Sequence, residues 1–169
     1  VPRTHSSSPA KPPSACTTLF LTATGTGSGT ELWKSDGTSA GTVQVADIAT
    51  GSAGSSPANL RNVNGTLFFT ANNGLTGVEL WKSDGTPAGT VPVADIATGT
   101  ASSSPTNLTV LGSTLIFSVN DGVNGTELWS SDGTTTALLK DINPGSASST
   151  PFNFVRMGGV LYFSAFTST

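Results

Sequence analysis

Apolar residues occur in short clusters separated by runs of Gly, Ser, Thr, Asn and Asp, and this pattern predicts strands joined by turns. No segment has the period of an amphipathic helix. Three consecutive apolar residues, Leu67, Phe68 and Phe69, lie in one predicted strand. Because neighbouring side chains of a strand point to opposite faces, this strand is expected to be buried on both faces. The sequence therefore predicts small sheets that pack against other sheets on both sides.

The clusters return at a fixed spacing. Trp33, Trp81 and Trp129 are 48 residues apart, and each lies in a copy of the octapeptide ELWxSDGT. A period of this length is typical of stacked or radially arranged repeats. The second unit contains four predicted strands, with the sequences LFFTA (67–71), VELWKS (78–83), TVPVADI (90–96) and NLTVLG (107–112).

The period divides the chain into a leader and a repeat domain. Residues 1–16 are rich in Pro and Ser and are predicted to form a flexible leader. The repeat domain, 17–169, begins its last, partial unit with VLYFSA, which matches TLFLTA, TLFFTA and TLIFSV at the start of the full units. The predicted units are about 17–65, 66–113 and 114–159, followed by the partial unit 160–169.

These features predict an all-β fold, a β-propeller-like array of about three four-stranded units plus one extra C-terminal strand. A β-trefoil-like fold is the alternative, because it also has three units of four strands. The extra strand, with Leu161, Tyr162 and Phe163, favours the array and is expected to complete a sheet within the chain or in a neighbouring subunit. Three units are fewer than a closed propeller usually has, and unpaired edge strands readily bind other chains. Self-association into a homo-oligomer or a filament is therefore expected.

The octapeptide has the composition of a strand followed by a turn. Leu and Trp supply apolar bulk for the two faces of the strand. Ser-Asp-Gly-Thr is typical of a turn, because Asp accepts hydrogen bonds from its own loop and Gly adopts positive φ. Glu31 and Lys34 fit neither part and are interpreted as a solvated pair. The predicted structural turn motif comprises Trp33, Asp36 and Gly37, then Trp81, Asp84 and Gly85, then Trp129, Asp132 and Gly133.

Charge and its placement exclude several functions. A formal charge of −3 with seven scattered basic residues argues against a nucleic-acid partner, and no apolar run is long enough for membrane insertion. Nine of the ten carboxylates recur at equivalent positions, whereas a catalytic acid and base require different environments. The one histidine, His5, lies in the leader, so a Ser–His–Asp site lacks a positioned base. The chain is therefore predicted not to be an enzyme. The one cysteine, Cys16, is interpreted as an unmodified thiol at the edge of the fold. The alternative is a site of intermolecular disulfide formation or lipid attachment.

Two kinds of attachment remain as candidates. Asn120, Asp121 and Asn124 form a candidate calcium site, because Ca²⁺ binds carboxylate and carbonyl oxygens, although the loop lacks EF-hand spacing and also fits plain turn chemistry. No other cofactor is predicted. The sequons at Asn64, Asn107 and Asn124 are candidate glycosylation sites.

The octapeptide, the phrase DINPG at 141–145 and the SSxP phrases resemble the repeats of the bacterial ELWxxDGT-repeat proteins. The resemblance covers about residues 17–169 and implies an exported, surface-associated repeat protein with propeller-like β architecture and no assigned chemistry. The first two units depart from the pattern, with DIATG in place of DINPG.

Together these observations predict a non-catalytic structural or adhesive repeat protein, extracellular or on the cell surface, that self-assembles. The alternative is a carbohydrate-binding, lectin-like surface module. In that case Trp33, Trp81 and Trp129, each beside a turn aspartate, would form the glycan-binding pockets. A Trp in a strand buried on both faces is more typical of a core.

Overall fold

The computed structural model describes residues 18–168, so the predicted leader, including His5 and Cys16, lies outside the described residues. The described chain forms only strands and turns, and alternating clusters of apolar and turn residues account for this. The strands are β1 (Leu19–Gly25), β2 (Gly29–Ser35), β3 (Val43–Ala46), β4 (Ala58–Val63), β5 (Thr66–Asn72), β6 (Val78–Ser83), β7 (Val91–Pro92), β8 (Thr106–Leu111), β9 (Thr114–Asn120), β10 (Thr126–Ser131), β11 (Thr136–Lys140), β12 (Phe152–Met157) and β13 (Val160–Ser164).

The strands form four antiparallel sheets, and consecutive strands are neighbours in each sheet. The first sheet contains β1 to β3, the second β4 to β7, the third β8 to β11 and the fourth β12 and β13. The protein is thus an all-β repeat protein built from small sheets. The described strands close no barrel, which removes the β-trefoil alternative.

Sheets and sequence units are offset by one strand. The strand that ends each sequence unit pairs with the strand that begins the next unit: β4 pairs with β5, β8 with β9, and β12 with β13. The extra strand β13 therefore pairs inside the chain, with β12. Because the second, third and fourth sheets each combine strands of two units, these sheets tie neighbouring repeats together.

Apolar side chains fill the space between the first and second sheets. Leu32 and Val45 of the first sheet pack in one buried cluster with Phe69 and Trp81 of the second sheet. We call the side of a sheet that faces the next sheet in chain order its front face, and the opposite side its rear face. Leu32 thus lies on a front face and Trp81 on a rear face.

A second buried cluster fills the space between the second and third sheets. It joins Phe68 and Leu80 on the front of the second sheet to Leu115 and Phe117 on the rear of the third sheet. Phe68 and its neighbour Phe69 therefore contact different sheets. This confirms the prediction that β5 is buried on both faces, and the equivalent β9 is buried in the same way.

No sheet of the described residues covers the two outermost faces of the array. Leu19 is exposed on the first sheet, which has no sheet behind it among the described residues. In the fourth sheet the alternation of the strands turns Phe154 and Phe163 towards the third sheet, and their rings lie 5.6 Å apart. The opposite, front face of the fourth sheet carries a cluster of exposed apolar side chains, Val155, Met157, Val160 and Tyr162.

Candidate functional site

Each octapeptide ends in a hydrogen-bonded turn. In the second copy Oδ1 of Asp84 accepts hydrogen bonds from the backbone N–H and the hydroxyl of Thr86, at 2.8 and 2.7 Å. Gly85, at φ 88°, donates its N–H to the hydroxyl of Ser83. Positive φ costs glycine little, which explains this residue at this place. Equivalent turns form around Asp36 and Gly37 and around Asp132 and Gly133.

The first residue of the octapeptide is a fully buried glutamate. Both carboxylate oxygens of Glu79, which is 0% exposed, accept hydrogen bonds: Oε1 from the N–H of Ser103, and Oε2 from the Ser103 hydroxyl and the N–H of Ile96. These donors lie in the segment that leads from the second sheet to the third. Glu31 and Glu127 hold the corresponding segments in the same way.

We call the buried glutamate together with the segment that it binds, residues 96–104 in the second copy, a glutamate corner. The corner also links adjacent sheets through backbone hydrogen bonds. The N–H of Ser104 donates to the carbonyl of Val78 at the start of β6, whereas the carbonyl of Ser103 accepts from the N–H of Asn120 at the end of β9. The Ser103–Ser104 segment therefore bridges the second and third sheets. Burial raises the pKa of Glu79, and hydrogen bonds from Ser103 and Ile96 oppose this shift.

The interpretation of Glu31 and Lys34 as a solvated pair is wrong. Glu31 is buried, because its carboxylate satisfies backbone donors that have no other partner in the corner. Lys34 instead reaches the next sheet, where its Nζ donates to the carbonyl of Gly85 at 2.7 Å. Lys82 makes the same contact with Gly133 at 2.6 Å. The sequence does contain a signal for this role: the glutamate recurs in all three octapeptides, whereas a solvated position would accept other polar residues.

An aromatic ring accompanies each of these lysines. A methyl group placed on Gly85 would lie 3.2 Å from Cζ of Phe20, and one on Gly133 would lie 3.0 Å from Cζ of Phe68. The first and second sheets therefore each press a front-face ring against the turn glycine of the following sheet. Two constraints therefore favour glycine at this position: its φ is positive, and the ring occupies the space that a side chain would need.

The three tryptophans occupy different environments. Trp81 is 6% exposed and packs in the core between the first and second sheets, so its ring face is not available to a sugar. Trp129 packs against the cluster between the second and third sheets. Trp33, at the equivalent rear position of the first sheet, is only partly buried. The indole Nε1 atoms of all three are buried and have no hydrogen-bond partner in the described part of the chain.

The candidate calcium loop is internally hydrogen-bonded. Oδ1 of Asp121 accepts from the N–H groups of Val123 and Asn124, and Oδ2 accepts from the side-chain amide of Asn124. Burial acts to raise the pKa of Asp121, but these hydrogen bonds outweigh it and lower the pKa. Asn73 accepts equivalent bonds at the same place in the preceding unit, so the turn does not require a charge. Residues 18–168 contain no group of three or more His, Cys, Asp or Glu side chains that could hold a metal ion.

The three candidate glycosylation sites differ in what their side chains do. Asn64 is exposed at the tip of the hairpin between β4 and β5. The side-chain amide of Asn107 donates to the carbonyl of Pro151, and that of Asn124 donates to Asp121. Attachment of a glycan at either of the last two would break a contact, whereas Asn64 has room for one.

The turn aspartates make stability depend on acid pH. Hydrogen bonds from the hydroxyl and N–H of Thr86 lower the pKa of Asp84 below its ordinary value of 3.8, and Thr38 does the same for Asp36. N–H groups of Thr135 and Thr134 lower the pKa of Asp132. Because these carboxylates bind protons more weakly in the folded state than in the unfolded state, their contribution is present above about pH 3.8 and is lost as the pH falls through the folded pKa.

We therefore predict that the melting temperature falls between about pH 4 and pH 2, and that Asp84→Asn weakens this fall. Circular dichroism melts of both proteins at matched pH values measure the difference. Glu79 titrates in the opposite sense, since its raised pKa gives a contribution that is lost as the pH rises through that pKa, but it is the same in both proteins. An acid profile unchanged by Asp84→Asn contradicts the assigned role of the turn hydrogen bonds.

The small sheets and the hydrogen bonds of the recurring glutamates and aspartates define the class of protein. It is an all-β repeat protein in which recurring polar residues hold turns and sheets together. No protein-family model, curated protein or solved structure matches the chain. Among residues 18–168 there is no helix long and apolar enough to cross a membrane.

Proposed function

We propose that the protein is a non-catalytic structural or adhesive repeat protein that self-associates through its terminal sheets. The observation that carries this proposal is the uncovered front face of the fourth sheet. Its side chains Val155, Met157, Val160 and Tyr162 are each more than half exposed. The equivalent front positions Val63 and Phe68 of the second sheet are buried by the following sheet.

An exposed apolar face of this kind favours association. Burial of apolar surface is the main favourable contribution to most protein–protein contacts, and exposed apolar clusters commonly mark interaction sites. Residues 18–168 contain other exposed apolar side chains, but these are isolated: Leu75 and Val123 lie at the tips of loops, and Leu139 lies alone in β11. Among residues 18–168 only the fourth sheet presents several of them side by side on one face.

The use of the carboxylates supports a role without catalysis. The glutamates Glu31, Glu79 and Glu127 are buried and bound by their own corners, and the aspartates Asp36, Asp84 and Asp132 are bound by their own turns. Catalytic carboxylates require a substrate-accessible position and unequal environments. These groups instead have repeated structural partners. An extracellular or cell-surface location follows from the resemblance to ELWxxDGT-repeat proteins.

We predict that the double variant Val155→Lys/Met157→Lys abolishes self-association of the full chain. Charges on the front face of the fourth sheet would have to be desolvated in the contact, which costs more than the apolar burial returns. Sedimentation velocity over a range of protein concentrations measures the effect, and the wild type should show species larger than one chain.

The matched control is Leu75→Lys/Val123→Lys, because these two residues are 73% and 70% exposed and lie outside the terminal sheets. This control should assemble like the wild type. A wild-type chain that sediments as a monomer at every concentration would overturn the proposal, and so would assembly that both double variants retain.

A further inference from the structure

We infer that the contact between copies is head-to-tail: Tyr162 of one chain packs on Gly37, in the first turn of a second copy. The inference rests on the proposed self-association and adds its partner, polarity and contact residues. It comes from a contact that the chain already makes twice between its own sheets.

In both internal examples a front-face ring covers the turn glycine of the following sheet. Phe20 in β1 packs on Gly85, and Phe68 in β5 packs on Gly133. The two rings occupy the same place in their strands, and the two glycines occupy the same place in the octapeptide. The chain thus contains the same ring-on-glycine contact in two consecutive positions.

One member of each kind has no partner among residues 18–168. Gly37, the first turn glycine, would carry a methyl group with no atom within 4 Å, whereas the same test places a ring against Gly85 and Gly133. Tyr162, at the position of Phe20 and Phe68 in the last sheet, is 51% exposed. The unmatched ring and the unmatched glycine lie at opposite ends of the array, so they can meet only between two copies.

The third sheet lacks both the ring and the lysine. Ile116 replaces the aromatic residue there, and Ser130 replaces the lysine. The fourth sheet consists only of β12 and β13 among the described residues, so it offers no octapeptide turn opposite Ile116. The aromatic residue returns at Tyr162. In both internal contacts a turn glycine lies in front of the ring, and Gly37 is the turn glycine that has no ring against it among residues 18–168.

Tyrosine also carries a donor that phenylalanine lacks. Lys34 and Lys82 donate to the carbonyls of Gly85 and Gly133, beside the rings. The described fourth sheet has no strand that could bring a lysine to this place. The Tyr162 hydroxyl extends from the ring towards the turn, where it can donate to the backbone carbonyl of Gly37. One residue then supplies both the ring and the hydrogen bond of the internal contact.

A head-to-tail contact uses two different surfaces, which permits a complementation experiment. Tyr162→Asp blocks the front surface by placing a charge in it. Gly37→Asn blocks the rear surface, since a side chain occupies the space of the ring, and Asn tolerates positive φ better than other residues do. Gly51→Asn is the matched control, because Gly51 has φ 86° against 89° for Gly37 and likewise no atom within 4 Å of an added methyl group.

Sedimentation velocity of the full chains is expected to show that Tyr162→Asp and Gly37→Asn are each monomeric, that Gly51→Asn assembles like the wild type, and that Tyr162→Phe assembles more weakly. An equimolar mixture of the two monomeric variants should form a species of twice the chain mass and nothing larger. Thermal melts establish that each variant is folded.

The outcomes separate the two proposals. Assembly that survives both blocking variants, or is lost only with Tyr162→Asp so that two front faces meet, overturns the head-to-tail contact and leaves self-association standing. A mixture that stays monomeric also overturns it. A monomeric wild type overturns both.

Discussion

Replacing Glu79 with Ala is expected to lower the free energy of unfolding by about 3–5 kcal/mol, because each buried donor left without an acceptor costs about 1–3 kcal/mol. The buried donors that lose their acceptor are the N–H groups of Ser103 and Ile96, together with the Ser103 hydroxyl. Urea unfolding at neutral pH, followed by tryptophan fluorescence, measures the change.

Two comparisons make this result specific. Glu79→Gln retains one oxygen but turns an amide N–H₂ group towards the corner donors, so it should be nearly as destabilising as Ala. Asp84→Ala removes a carboxylate with a similar number of hydrogen bonds from an exposed turn, where water replaces the protein acceptor, and should cost clearly less. A loss for Glu79→Ala no larger than that for Asp84→Ala contradicts the structural role of the glutamate corner.

Trp81→Ala is expected to cost about 3–5 kcal/mol, the usual range for removing a large aromatic side chain from a core. Trp33→Ala should cost less than half of this, because the equivalent ring is only partly buried and lies on the rear of the first sheet, where residues 18–168 supply no further sheet. Chemical denaturation of the two variants gives the comparison. The octapeptides are identical around both residues, so the difference measures the burial supplied by the preceding sheet.

The same variants test the carbohydrate-binding alternative. That hypothesis requires Trp81→Ala to keep its stability and to lose signal on a glycan array. A destabilised Trp81→Ala protein, with no array binding by the wild type, supports the core position that the structure shows. Binding that persists in the wild type and disappears in a stable variant would replace the structural proposal.

The sequence predicts the strands and turns of this fold, but it does not predict how the strands are grouped into sheets. Local patterns predict a strand around Leu67–Phe69 and a turn at Asp84–Gly85, because burial on two faces and positive φ leave direct marks on residue type. A repeating sequence shows the length of the repeat, but it does not show which strand begins a sheet. Nothing in the sequence of β8 shows whether it pairs with β7 before it or β9 after it, and the hairpin to β9 decides this.

The partners of the polar residues in the octapeptide do not follow from its sequence. A glutamate in a strand is ordinarily solvated, and only the three-dimensional path of the following segment brings Ser103 and Ile96 to Glu79. Lys34 likewise finds its acceptor 51 residues away. Periodicity revealed that these residues matter, but their partners depend on contacts between sheets, which no local pattern encodes.

In the proposed assembly, the first and last sheets of residues 18–168 are the two halves of a contact that the chain repeats internally. Electron microscopy of the purified full chain at increasing concentration tests it most directly. We predict assemblies in which copies follow one another with a single polarity, as rows or closed rings that lengthen or fill with concentration. Isolated monomers at all concentrations, or pairs related by a two-fold axis, would contradict the claim.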